Sequence, residues 1–178
     1  MAQALQGYGR TARLLHWATV LLLTVQYSIG WLMPDIRRGM KPGEAMNLHM
    51  SFGLLILFVA LLRSLWRVTH PVAPEGSLPA WQRVSAEAVH WLLYALVLAT
   101  TLTGWAFASM RGWTITAFGA LAIPRIAAEG SSLGRSIGAL HGTFIWVLLG
   151  IAGIHVSAAL IHLFIYRDRV MLRMLSGV

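Results

Sequence analysis

The chain has 178 residues, of which 57% are hydrophobic and 11% are charged, and its formal net charge is +8. Soluble domains carry about 25% charged residues, so this composition excludes an ordinary water-soluble protein and predicts that lipid is the main solvent. Cysteine is absent, which excludes disulfides, iron–sulfur clusters and a covalently attached c-type haem.

Four long uncharged runs follow one another along the chain. A helix needs about 20 mostly apolar residues to cross roughly 30 Å of hydrocarbon. The runs cover residues 14–33, 45–62, 88–110 and 136–166, and charged residues bracket each of them. They predict an all-α, integral membrane four-helix bundle that forms one domain over residues 1–178, with spans over about 12–33, 45–66, 84–110 and 137–166.

The basic residues divide between the two membrane surfaces, with eight on the surface that holds both termini and six on the other. The first set is Arg10, Arg13, Arg63, Arg67, Arg83, Arg167, Arg169 and Arg173; the second is Arg37, Arg38, Lys41, Arg111, Arg125 and Arg135. Under the positive-inside rule, this imbalance favours cytoplasmic termini. The connection over residues 112–134, on the outer surface, is predicted to lie along the interface as a short amphipathic stretch.

Histidine is unusually frequent inside the uncharged runs. Six of the seven histidines, all except His70, lie within them, whereas Asp, Glu, Lys and Arg are absent from them. Ionisable groups in hydrocarbon usually mark a function, and neutral imidazole is the commonest metal-binding side chain. A single intramembrane histidine often does no more than hydrogen-bond a neighbouring helix. Six of them favour metal binding instead.

The spacing in the fourth run indicates which metal group is bound. His141 and His155 are 14 residues apart, so they lie on nearly the same helix face and about 21 Å apart along the axis. Two sites therefore stack across the bilayer. Iron porphyrin suits such sites, because it takes one imidazole from each of two helices at equal depth. Zinc needs three or four close ligands, which the runs do not offer.

Depth in the membrane predicts which histidines pair. His49 and His141 both lie near the outer ends of their runs, so they form the outer pair. His155 faces the inner side, where His16 and His90 enter at similar depth, and spacing leaves both open as its partner. His162 lies about 10 Å closer to the inner surface than His155. It can bind a quinone head group, or it can be an interfacial histidine that contacts water.

Two glycines lie one helical turn from the outer histidines, Gly53 from His49 and Gly138 from His141. They would let a porphyrin approach the backbone. Equally, Gly138 and Gly142 form a small-xxx-small pattern that is typical of close helix packing. The sequence leaves both roles open.

Several motifs together resemble the bacterial cytochrome b561 family over nearly the whole chain. They are Arg13-x-x-His16-Trp17, Asn47-x-His49, His90-x-x-x-Tyr94 and the series His141, His155, His162. The order of elements and the basic tail at 172–174 resemble the short, stand-alone members that act as superoxide oxidases. Each motif alone is weak, but four histidines at matching positions in four-helix order are a specific signal.

The resemblance implies a set of cofactors and ligands. Two haems b are expected per chain, the inner one held by His16 and His155 and the outer one by His49 and His141. The residue that matches His162 lies at the ubiquinone site. His90 is then not an axial ligand, which leaves it to packing or to a haem propionate.

The resemblance also implies an activity. Superoxide is oxidised to O2 at the outer, periplasmic side, and electrons pass through both haems to reduce ubiquinone with cytoplasmic protons. The expected location is the bacterial inner membrane, as a multi-pass protein with both termini cytoplasmic. The outer loops carry six basic residues against three acidic ones, an excess of three positive charges that could steer an anion inward. For the six basic residues, Arg37, Arg38, Lys41, Arg111, Arg125 and Arg135, binding to lipid phosphates is the stronger explanation.

Two other functions remain open from the residues alone. The same fold serves as an electron-transfer subunit that links a partner dehydrogenase or hydrogenase to the quinone pool. A haem-free transporter or structural membrane protein would use its histidines for helix contacts. No nucleic-acid partner is expected in any of these readings.

Overall fold

The computed structural model describes residues 7–37, 39–73, 75–76 and 78–176. Its long helices are α1 (Arg10–Leu32), α2 (Glu44–Thr69), α3 (Ala80–Met110) and α4 (Gly134–Ile161). Between α3 and α4 lie two short strands, β1 (Ile115–Ala117) and β2 (Leu121–Ile123). A π-helical turn, His162–Tyr166, continues α4, and the short helix α5 (Leu172–Leu175) follows it.

Three of these helices are long and apolar enough to cross a membrane. They are α2, α3 and α4 together with its π-helical turn. The most apolar part of the last has a mean hydropathy of 2.2, and only 6% of it is buried inside the bundle, so its surface suits lipid. The 23-residue α1 contains His16 and Gln26 and is not among the three. The predicted helical membrane bundle is thus confirmed, whereas a fourth span stays a prediction.

Side-chain contacts give the arrangement of the helices. Successive helices pack side by side, and their short connections make them antiparallel. Tyr27 on α1 donates a hydrogen bond to the carbonyl oxygen of Ile145 on α4 (2.7 Å), which closes the bundle. We call the end that holds the start of α1 and the end of α4 the terminal end. The opposite end, with the two strands, is the hairpin end.

The bundle has two buried apolar clusters. The mid-bundle cluster lies halfway along the helices and consists of Ile56, Ala60, Leu96, Val97 and Leu148. The second lies at the hairpin end and consists of Met46, Ala108, Trp113 and Ile115. The mid-bundle cluster therefore separates two polar levels, one near each end.

The segment between α3 and α4 differs from the predicted amphipathic stretch. Its two strands pair as an antiparallel hairpin that packs against α2. Two buried serines hold the segment: Phe118 N–H donates to Ser51 Oγ (2.9 Å), and Ile126 N–H donates to Ser109 Oγ (3.2 Å). Because both hydroxyls are buried, they bind backbone groups that water would otherwise satisfy, and the segment folds over the bundle end.

The chain after the π-helical turn folds back onto the terminal end. The Arg13 guanidinium donates to the Leu175 carbonyl oxygen (3.0 Å), and the Trp17 indole donates to that of Met174 (3.3 Å). Arg173 donates to the carbonyl oxygen of Ala73 in the loop before α3 (2.7 Å). Two members of the Arg-x-x-His-Trp motif thus anchor the tail, which gives that motif a structural reason.

Candidate functional site

The first site lies at the hairpin end, between His49 on α2 and His141 on α4. Their ring centres are 6.4 Å apart, and the ring planes are nearly perpendicular at 87°. His141 Nδ1 lies 2.9 Å from the carbonyl oxygen of Thr100 on α3. A carbonyl oxygen only accepts hydrogen bonds, so Nδ1 carries the proton and Nε2 keeps a free lone pair. Histidines that bind metals through Nε2 have this tautomer.

The His49 ring has the same tautomer. The side-chain amide nitrogen of Gln26 on α1 donates to His49 Nε2 (3.2 Å) and to the His49 carbonyl oxygen (3.0 Å). Nε2 therefore accepts with its lone pair, and Nδ1 carries the proton. Gln26 Oε1 and His49 Nδ1 are buried without hydrogen-bond partners in the described part of the chain. Buried polar atoms without hydrogen-bond partners are rare in protein interiors, so the site fits an additional bound group.

A cavity of about 420 Å³ surrounds this histidine pair. That volume is within the range of about 300–1,000 Å³ found for cofactor and ligand sites. Side chains from all four long helices line it, most of them apolar or aromatic. Its glycines are Gly30, Gly53, Gly104, Gly138 and Gly142. The cavity thus combines the free Nε2 lone pair of His141, and the His49 Nε2 that accepts from Gln26, with apolar walls.

The glycines differ in what they permit. A Cβ on Gly104 would lie 2.8 Å from His141 Cε1, so only glycine lets that ring sit against α3. A Cβ on Gly138 would lie 2.7 Å from Phe107 Cε2, which is close helix packing, whereas Gly53 meets only Gln26 Nε2, at 3.5 Å. Of the two roles left open, Gly138 serves packing and Gly53 leaves space in the cavity.

The second site lies at the terminal end around His155 on α4. The His155 ring centre is 6.4 Å from that of His16 on α1 and 5.2 Å from that of His90 on α3. Arg63 on α2 donates through Nη2 to His16 Nδ1 (2.8 Å). Its guanidinium carbon also lies 5.1 Å from the Tyr94 ring centre. Three imidazoles, a cation and a phenol therefore meet at one level of the bundle.

A third group lies beyond the terminal-end site, where α4 ends. His162 Nδ1 is 2.5 Å from Asp168 Oδ2, and the two side chains are only 13% and 18% exposed. The π-helical turn and a left-handed Arg167 (φ 51°) bring the carboxylate back to the ring. Asp168 Oδ1 accepts the Val170 N–H (3.0 Å), which orients the carboxylate. The sequence analysis named His162 but missed Asp168.

Two of the predicted outer basic residues line one open cleft at the hairpin end. They are Arg111 and Arg135, and the cleft shares Phe107 and Gly138 with the wall of the histidine cavity. Arg111 is held in place because it donates through Nη2 to the Arg37 carbonyl oxygen (2.6 Å). The cleft therefore lies next to the cavity and places two positive charges beside it.

Of the other predicted basic residues, the three that the structure describes do not line this cleft. Arg125 forms an ion pair with Glu129 (2.5 Å), so its charge is locally balanced. Lys41 and Arg37 are exposed on the connection between α1 and α2. Arg38 lies outside the described residues.

Comparisons with known proteins agree on one family. The family described as prokaryotic cytochrome b561 matches residues 7–177. The chain is 30% identical to cytochrome b561 homolog 2 of Escherichia coli over 96% of its length and 92% of that protein's. It is also 30% identical to the probable superoxide oxidase CybB of Yersinia pestis (90% and 91% covered) and 27% identical to cytochrome b562 of Cereibacter sphaeroides (95% and 95%).

The chain belongs to the prokaryotic cytochrome b561 family. It is therefore a membrane electron-transfer protein of a family that binds haem b, as the sequence analysis predicted. Among the described residues, no three His, Cys, Asp or Glu side chains are grouped as a lone metal ion would require. Instead, imidazoles from different helices face one another there: His49 and His141 at one end, and His155 with His16 and His90 at the other.

The spacing of the imidazoles fits haem iron. With about 2.0 Å from a metal to each imidazole nitrogen and about 1.1 Å from there to the ring centre, the centres of two rings on opposite sides of one metal are about 6.2 Å apart. His49 and His141 are 6.4 Å apart, and so are His16 and His155. His90, at 5.2 Å from His155, is too close to bind the opposite side of the same metal.

We predict that Gly104→Ala weakens haem binding at the hairpin end about 10- to 100-fold, because overpacking of this kind costs roughly 1–3 kcal/mol. The new methyl group would displace the His141 ring from its present position. The measurement is the haem-to-protein ratio of the purified variant in a pyridine haemochrome assay. Gly150→Ala is the matched control, since nothing lies within 4 Å of its added Cβ. Equal haem content in both variants would contradict the role of Gly104.

Proposed function

We propose that this cytochrome is a di-haem membrane oxidoreductase that oxidises superoxide to O2 on the outer side and reduces ubiquinone on the inner side. The observation that carries the proposal is the pair of imidazole sites, each with ring centres 6.4 Å apart, at opposite ends of one bundle. A relative named as a probable superoxide oxidase supports the donor. Haem b, when bound at both sites, supplies one-electron redox chemistry at two depths.

The proposal assigns four membrane spans and one orientation. At 1.5 Å per residue, the 23-residue α1 is roughly 35 Å long, which is enough to cross hydrocarbon of about 30 Å. It contacts α2 along its length and is tied to α4 through Tyr27. The terminal end has the larger number of basic residues, so it faces the cytoplasm of a bacterial inner membrane.

His49 and His141 would hold the outer haem, and His16 and His155 would hold the inner haem. The sites are about 21 Å apart along α4, with the mid-bundle cluster between them. Because that cluster excludes water from the middle of the bundle, protons do not cross the bundle between the two sites. Each end of the bundle must then exchange its own substrate with its own side of the membrane.

At the outer end, the chain attracts an anion and needs no acid or base. Superoxide loses one electron to become O2, so no bond to hydrogen forms or breaks. Arg111 and Arg135 line the cleft that adjoins the outer cavity, and their charges raise the local anion concentration. Of the six basic candidates, these two have the best-supported role.

At the inner end, reduction of one ubiquinone takes two electrons, from two superoxide anions, and two protons. His162 and Asp168 form a hydrogen-bonded acid–base pair that is nearly buried and lies about 10 Å beyond His155 along the chain axis. A histidine held by a carboxylate keeps one nitrogen oriented toward its substrate. We assign quinone binding and proton delivery to His162, and its positioning to Asp168.

The proposal is tested by adding superoxide and a soluble ubiquinone to the purified, haem-loaded protein. We expect the quinone to be reduced without any partner protein, at a rate that falls as ionic strength rises. Quinone reduction only after a dehydrogenase or hydrogenase is added would favour the electron-transfer subunit instead. A blank pyridine haemochrome assay would exclude both functions.

We predict that single ligand substitutions remove one haem each. His49→Ala or His141→Ala should lower the haem content from two to one per chain, and His16→Ala or His155→Ala should do the same at the other site. His90→Ala is the control and should retain both haems, because its ring is too close to His155 to share the iron. Loss of both haems from one ligand change would argue against two independent pairs.

We predict that the quinone site can be damaged without loss of haem. His162→Ala should slow quinone reduction about 100-fold, as expected for removal of a general acid, and Asp168→Asn should slow it about tenfold. Stopped-flow absorbance should show that superoxide still reduces the haems at the unaltered rate. Asp35→Asn, at the opposite end of the bundle, is the matched control. Unchanged quinone kinetics in both inner variants would rule out this assignment.

A further inference from the structure

Two arginines on α2 reach the terminal-end histidines from one side. Arg63 and Arg67 are four residues apart, so they lie on the same helix face. Arg63 donates to His16 Nδ1 (2.8 Å) and lies over the ring of Tyr94. Arg67 Nη1 is buried without a hydrogen-bond partner among the described residues. Both guanidinium groups therefore point into the bundle and not toward lipid.

No carboxylate of the described chain, which includes all six acidic side chains, contacts either arginine. At the terminal end, Glu75 pairs with Arg173 and Asp168 pairs with His162, while Glu87 is exposed. The other acidic residues lie at the hairpin end. A partly buried guanidinium without an anion is strongly destabilising. Among the described residues, the site therefore has two positive charges without a carboxylate partner.

The bond between Arg63 and His16 cannot coexist with iron on that histidine. Arginine only donates hydrogen bonds, so His16 Nδ1 accepts, and the proton of the neutral ring is on Nε2. A neutral imidazole that binds a metal through Nε2 carries its proton on Nδ1, where it repels a second donor. His49 and His141 already have that tautomer, and His16 has the opposite one. When His16 becomes a ligand, Arg63 must turn to another acceptor.

We propose that Arg63 and Arg67 bind the two propionate carboxylates of the haem at the terminal end. This inference rests on the proposed function, because it takes His16 as an axial ligand. Guanidinium binds carboxylate through two parallel hydrogen bonds, a geometry that lysine cannot reproduce. The two propionates of haem project from one edge of the porphyrin, and the two guanidinium groups project from one face of α2. A single haem thus supplies both missing anions as it displaces Arg63 from His16.

A lipid phosphate is the other anion at this depth. It would have to enter between the helices, because Arg63 is covered by His16 of α1 and Tyr94 of α3. The negative charge alone does not distinguish a lipid phosphate from a haem propionate. The charges of the propionates, however, can be removed by esterification. The test therefore changes the arginines and the propionates together.

The experiment compares haem b with its dimethyl ester, which lacks both negative charges, in wild type, Arg63→Met and Arg67→Met. Apoprotein is loaded with either porphyrin, and its release to excess apomyoglobin is followed by absorbance. With haem b, each variant should accelerate one of the two release phases about 10- to 100-fold, as expected for loss of a charged hydrogen bond. With the ester, the variants and wild type should agree within about twofold.

Arg83→Met, an exposed arginine on α3 at the same end, is the matched control and should change neither phase. Equal acceleration with haem b and its ester would overturn the proposal, because the arginines would then act through the fold or through lipid. Should a variant fail to fold, a comparison of the two porphyrins in wild type tests the proposal. The terminal-end site is identified as the one whose release phase is lost in His16→Ala. Wild type should release the ester from this site about tenfold faster than it releases haem b, and equal release rates would overturn the proposal. Failure of wild type to bind haem would instead refute the proposed function.

Discussion

An imidazole in hydrocarbon depends on protein groups or a bound cofactor to satisfy its ring nitrogens, because lipid offers no hydrogen bonds. In this bundle the partner comes from a neighbouring helix: Thr100 holds His141, and Gln26 holds His49. Ring orientation and helix packing therefore depend on one another. Hydroxyl groups in the helices are satisfied locally by the carbonyl oxygen four residues earlier, as in Thr19, Thr24, Ser28, Ser64 and Thr143. The polar groups that remain able to bind a partner are thus concentrated at the two depths where the histidines lie.

The positions of the two histidine sites along the bundle can be predicted from the hydropathy of the sequence and from the helical period. The 14-residue spacing of His141 and His155 predicts two stacked sites, and the structure has an imidazole facing each of them across the bundle. Hydropathy was less informative about helix ends, because a run stops at the first charge whereas the backbone continues. Arg63 and Arg67 were assigned to the membrane surface, yet both lie within α2 and face inward. Long side chains of this type can bury their stems and direct the charge elsewhere.

Other parts of the site have no local signature. Gly104 matters only because His141 of another helix rests against it, and a glycine in an apolar run has no pattern that shows this. Asp168 reaches His162 through a π-helical turn and a left-handed residue, which are departures from the period that sequence patterns use. The hairpin has no local signature for a similar reason, because the segment that contains it is held by the hydroxyl groups of Ser51 on α2 and Ser109 on α3. Each of these features depends on tertiary contacts.

The terminal end shows how one motif serves two proposed sites. His16 presents its ring to the bundle interior, while Arg13 and Trp17, on either side of it, bind the chain that follows the π-helical turn. That chain carries Asp168, which holds His162. A change in the angle of α1 at this end would therefore move the proposed axial ligand His16 and the His162–Asp168 pair together. Under the proposed function, in which an electron and a proton reach the same quinone, this shared anchoring keeps the electron donor and the proton donor at a fixed distance from each other.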